Sequence, residues 1–136
     1  MIFDILEKKL TESGLVVPGE SLFRGSMPGE TQVGVMTKVP LTGIPVDPHI
    51  EGRFRAKIQI ITRHTDPVHG EKLANDVSRV LFVETIERHE LEDGTKGSIH
   101  LFYPMTLPVQ FPRLEGNGLE FSQHFEAVWV VDPAWR

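Results

Sequence analysis

The chain is 136 residues long, 40% hydrophobic and 24% charged, the size and composition of one globular domain able to bury its own core. Its 14 Lys and Arg against 19 Asp and Glu give a formal net charge of −5, so it lacks the overall basic footprint that neutralises nucleic-acid phosphates. Cysteine is absent, which excludes a disulfide framework, a thiolate-ligated metal and a thiol nucleophile.

No apolar run approaches the roughly 20 residues that a membrane-spanning helix needs. The amphipathic start, Met1-Ile2-Phe3-Asp4, lacks the basic region of a secretory signal. The expected setting is aqueous: a cytoplasm, or a larger particle assembled there.

Ile2, Phe3, Leu6 and Leu10 recur at helical spacing and predict a helix over 2–13 that ends at Gly14. A helix this short is marginal alone and needs a surface to pack on. Pro18-Gly19 and Pro28-Gly29 mark turns around a short strand at about 21–26. Over 31–39 the alternation of Val33, Val35, Thr37 and Val39 predicts a strand, and Pro45 and Pro48 make 41–51 a loop.

The strand over 53–62 is the clearest. Phe54, Ala56, Ile58 and Ile60 form one face, with Arg53, Arg55, Lys57 and Gln59 opposite. Thr65-Asp66-Pro67 then opens a second helix, with Asp66 as its cap and Pro67 in its first turn. Leu73, Val77, Val80 and Leu81 carry that helix to about residue 82. Strands follow over 85–91, 96–103 and 119–131, the first two a hairpin across Asp93-Gly94 and the last preceded by a turn at 115–118. Between them, Pro104, Pro108 and Pro112 forbid a central strand over 104–112 and predict an extended arm reaching to about 117. The sum is a single α+β domain: a largely antiparallel, mixed sheet with an N-terminal and a central helix packed on it, an extended Pro-rich arm and a tail at 132–136.

Chemistry-bearing residues form no convincing site. His64, Asp66 and His69 are metal-ligand types, yet their spacing fits no helix-borne zinc motif and Asp66 is needed as a cap. A small metal-dependent enzyme using this trio is the alternative from another functional class. None of Ser13, Ser21, Ser26, Ser78, Ser98 and Ser122 lies in a nucleophile elbow. Residues 28–34 lack the phosphate-loop pattern. Arg53, Arg55 and Lys57 make a basic stripe without interleaved aromatic residues, which suits a subunit interface or ion pairs with the acidic hairpin better than single-stranded nucleic acid. Catalytic, cofactor and metal residues are therefore all read as none. The positive signals are for assembly: apolar Met105, Leu107, Val109 and Phe111 in the arm, and Trp135 and Arg136 at the end of the chain, residue types that anchor interfaces.

The run Phe54-Arg55-Ala56-Lys57-Ile58-Gln59-Ile60-Ile61-Thr62-Arg63-His64-Thr65-Asp66-Pro67, with the helix over 71–82 behind it, resembles the small minor capsid or tail-terminator (neck) proteins of tailed bacteriophages. The order of elements is similar over most of the chain. The resemblance implies a structural virion protein with no active site. Such a protein forms a homo-oligomeric ring, usually a hexamer, at the head-proximal end of the tail tube, where it ends tube polymerisation and joins the tail to the head connector. A head-completion or connector protein of the same neck is the nearer alternative. The implied partners are the tail tube protein and the head–tail connector proteins, with no membrane. The implied setting is the virion, after synthesis in the bacterial host cytoplasm. DNA would pass through the ring without specific binding, which an acidic wall favours by repulsion. Glu87, Glu90, Glu92 and Asp93 of the acidic hairpin are the expected lumen-facing residues.

Overall fold

The structure is a computed structural model and describes residues 2–112 and 118–132. The chain runs α1 (Ile2–Ser13), β1 (Leu22–Arg24), β2 (Gly34–Lys38), β3 (Arg53–His64), α2 (Pro67–Leu81), β4 (Glu87–Glu90), β5 (Lys96–Pro104), β6 (Val109–Pro112) and β7 (Leu119–Val131). The strands form one curled, mixed sheet in the order β1-β2-β3-β7-β5-β4, with β6 also against β7. Every pairing is antiparallel except β1 with β2, which is parallel. This is the α+β domain that the alternating and helical periods predict.

The two long strands make the frame. β3 pairs with β7 from Arg53–Val130 to His64–Leu119, so their apolar faces coincide. Ile58 and Ile60 of β3, Phe125, Ala127 and Trp129 of β7, and Ile99 and Phe102 of β5 bury one face of the sheet. α1 covers it with Ile2, Phe3, Ile5, Leu6 and Leu10, and α2 with Val77 and Leu81. The Phe102 and Phe125 rings stack at 4.8 Å, and Phe54 stacks on Trp129 at 5.5 Å. The short helix α1 thus finds on its own sheet the surface it needs.

α2 begins where the sequence predicts. Asp66 is extended at the N-cap and accepts a hydrogen bond from Val68 N–H at 3.0 Å, with Pro67 in the first turn. The helix lies close to the sheet because Gly70 has no side chain: a Cβ there would collide with the Phe121 ring and sit 2.9 Å from His64 Cβ.

Four strands differ from the predicted spans: β1 is cut to Leu22–Arg24, β3 runs on to His64, and β2 and β4 are both shortened. β2 is shorter, at Gly34–Lys38, and buries both Val35 and Met36, so it is not a one-sided strand. The segment before it folds over the second face of the sheet, held by Arg63 Nη1 donating to Pro28 O at 2.8 Å and to Thr31 O at 3.3 Å. β4 is cut to Glu87–Glu90, and the hairpin turn after it forms across Asp93-Gly94 with Gly94 at φ +88°. Among the described residues no helix is long and apolar enough to cross a membrane.

One core residue is mismatched to its surroundings. Thr37 of β2 is fully buried, and its Oγ1 has no hydrogen-bond partner among the described residues. Thr37→Val keeps the branched shape and removes the orphaned hydroxyl. We expect it to stabilise the protein by about 1 kcal/mol, a rise of roughly 3 °C in Tm measured by thermal denaturation. A lower Tm would mean that the hydroxyl is satisfied in solution.

Candidate assembly surface

Among the described residues the second face of the sheet carries no helix. Its middle is a ladder of polar pairs between β3 and β7: Arg55 Nε to Glu126 Oε1 at 2.6 Å, Gln59 Nε2 to Ser122 Oγ at 2.8 Å, and Arg63 Nη2 to Glu120 Oε2 at 3.1 Å. Arg53 is 3.9 Å from Asp47 of the β2–β3 connection. The expected ion pairs of the basic stripe therefore exist, but with carboxylates of β7 and of this connection and not with the acidic hairpin. The reason is register: β7 brings its glutamates directly across from β3.

The Pro-rich stretch is extended, and the structure adds where it goes. After β5 ends at Pro104, opposite Phe125, Met105 N–H donates to His124 O at 2.9 Å. The chain then bulges past Gln123 and resumes as β6, with Val109 opposite Ser122 and Pro112 opposite Leu119. Gln123 is buried at a core-facing position, and its Nε2 donates to Thr106 O at 2.8 Å, bridging the gap. Residues 105–112 are thus a continuation of β5 along β7 and not an arm free of the sheet. The prolines are tolerated because β6 is an edge strand, where a missing donor leaves no ladder bond unmade.

That edge is apolar and open. Met105, Leu107, Val109 and Phe111 are all exposed, Leu107 at 82%. Among the described residues β6 pairs with β7 alone, and all four of its residues are exposed. No charged side chain lies between Lys96 and Arg113, the longest such run in the chain. An edge of this kind is an association surface unless it is covered. Trp135 and Arg136, the other expected interface residues, lie outside the described residues, as do 113–117 of the expected arm.

A second exposed apolar surface was not legible in the sequence. The connection between β2 and β3, residues 39–52, turns Leu41 fully to solvent and leaves Val46 78% exposed. It is nonetheless well tied. Asp47 Oδ1 accepts from His49 N–H and Ile50 N–H at 2.8 and 3.0 Å, bonds that hold its carboxyl below the usual aspartate range. Gly52, at φ +80°, accepts from Val131 N–H at 2.8 Å where a Cβ would press on Val131 O. The prolines marked this as a loop; which of its apolar residues point outward depends on tertiary packing.

The acidic hairpin residues divide. Glu87 turns toward α1, where its Oε1 is 2.9 Å from Lys9 Nζ and 2.7 Å from His89 Nε2. Burial by itself would raise its carboxyl, but these two partners outweigh it and hold the group below its ordinary range. Asp93 accepts from Thr95 N–H at 2.9 Å within the turn, which lowers it too. Glu90, Glu92 and Asp93 line one wall of an open groove of ≈ 630 Å³, with Asp4, Glu7 and Glu12 of α1 on the other.

His64, Asp66 and His69 do come together, in a capping arrangement. Asp66 pairs with His69 Nδ1, the main cause that its carboxyl lies below the usual aspartate range, and the bond from Val68 N–H lowers it further. His64 Nδ1 accepts from Asp66 N–H at 3.0 Å, and the two imidazoles stack at 6.1 Å. Among the described residues no set of three or more His, Asp or Glu side chains is placed to hold a metal ion.

The apolar edge at β6 and the exposed apolar residues of the 39–52 connection are surfaces of the kind that contact other proteins. The family model of the bacteriophage tail terminator protein matches residues 9–130, and the chain belongs to that family. It is thereby a structural protein of the phage tail and a component of the virion, in contact with other tail or head components. Comparison with curated proteins gave no match.

Proposed function

We propose that this protein forms a closed hexameric ring at the head-proximal end of the tail tube, where it ends tube polymerisation and joins the tail to the head connector. Family membership supports a place on the tail, and the observation that supports a ring is the uncharged, exposed edge around Leu107, Val109 and Phe111. A closed ring needs a heterologous contact repeated by one rotation, and an unpaired strand edge supplies one half of it. Trp135 and Arg136 would extend the same interface. Glu90, Glu92 and Asp93 would face the lumen and repel passing DNA without binding it. Glu87, paired with Lys9, would contribute little free charge there. Synthesis in the host cytoplasm precedes incorporation into the virion.

Deleting 104–112 is a poor test, because it strips β7 of paired backbone. Leu107→Glu with Phe111→Glu instead places two charges on the exposed edge and leaves the core untouched. The expected result is an unchanged circular dichroism spectrum and melting curve, with loss of the oligomer in analytical ultracentrifugation. A ring of normal stoichiometry in the double variant would remove this edge from the interface.

A further inference from the structure

We infer that the β2–β3 connection of one copy seats on β6 of the next copy, and that this contact closes the ring. The inference rests on the ring reading above and adds the partner of the β6 edge.

The two surfaces match in chemistry. Between Lys38 and Asp47 the chain has no charged side chain, and the same holds from Lys96 to Arg113; these are the two longest such runs in a chain that is 24% charged. Both present apolar side chains to solvent: Leu41 and Val46 on the connection, Leu107 and Val109 at β6. Each alone is a liability in water, and each gains by covering the other.

They also match in position. The connection leaves the sheet after Lys38, opposite Gln59 of β3, and returns at Gly52, which accepts from Val131 N–H. It lies on the β2–β3 side of the sheet and β6 on the other side of β7, so β3 and β7 stand between the two surfaces of one chain. A contact between two different surfaces on opposite sides of the sheet is head-to-tail and repeats with a single rotation, the geometry a ring requires.

The connection is built to be presented. A hairpin of this kind closes with about 2–5 residues, and 39–52 is far longer. Pro40, Pro45 and Pro48 stiffen it, while Asp47 and Gly52 fix its return to β3. Ordering before contact reduces the entropy lost on association.

The absence of cysteine allows a clean test in the full chain. Leu41→Cys and Val109→Cys are made singly and together and oxidised under conditions where the protein oligomerises, with the oligomer followed by electron microscopy. The expected result is no covalent product from either single variant, a dimer from an equimolar mixture of the two, and a ladder up to the ring number from the double variant. Separately, Leu41→Glu with Val46→Glu is expected to raise the concentration for half-assembly at least about tenfold, equivalent to about 1.4 kcal/mol. Rings that form without any cross-link, or Val109→Cys cross-linking to itself, would overturn this pairing and leave the ring standing. No rings from any variant or from the unmodified chain would overturn the ring and the pairing with it.

Discussion

Arg63→Ala is expected to destabilise the protein by about 3 kcal/mol, a fall of roughly 6–12 °C in Tm. The Arg63 side chain is only 10% exposed and satisfies three acceptor groups in two segments at once. Its Nε and Nη2 donate to Glu120 at the start of β7, and its Nη1 to Pro28 O and Thr31 O of the segment before β2. Truncation leaves the Glu120 carboxylate, 17% exposed, without its partner and two carbonyls without a donor. Arg63→Lys keeps the charge but not the planar fork, so it should recover part of the loss. Urea denaturation measures both, and a change under about 0.5 kcal/mol for Arg63→Ala would mean that the segment over the second face is held by something else.

Phe125→Ala is expected to cost about 4 kcal/mol. Phe125 is fully buried at the middle of β7, opposite Ile58 of β3 and Pro104 of β5, and its ring stacks on Phe102. Removing it costs the transfer of the ring and opens a dry cavity beneath two helices that cannot follow. A domain of this size has about 5–15 kcal/mol in all, so the variant should sit near the threshold of unfolding. A lower midpoint at unchanged m is the expected urea profile. A loss under about 1.5 kcal/mol would show that the core repacks around the gap.

Much of this fold is written in local patterns. The apolar faces of β3 and of β7, Gln123 apart, follow a two-residue period in sequence, α2 has its cap and proline in adjacent positions, and Asp93-Gly94 is a hairpin signal. Less was legible where the cause is non-local. β1 is three residues long, too short for a period, and its parallel pairing depends on how 25–33 crosses the sheet. Gly70 reads as a weak spot in a helix until Phe121 is seen against it. Gln123 interrupts the apolar face of β7 for a reason found in another segment, the carbonyl of Thr106.

The candidate surface was partly visible in the same way. Met105, Leu107, Val109 and Phe111 stand out in a proline-rich stretch, but only the register with β7 makes that stretch an edge strand. The carboxylate partners of Arg55 and Arg63 could not be chosen from sequence, since alternation places side chains on a face without saying which strand lies beside it. The family resemblance came from the strand–turn–helix at 54–82, inside the 9–130 match.

The ring is tested most directly by electron-microscopy class averages of the purified protein, imaged alone at high concentration and then with isolated tail tubes. Closed rings of six copies, or density capping one end of each tube, are the predicted result. Compact single particles under both conditions, with tube ends left bare, would contradict it.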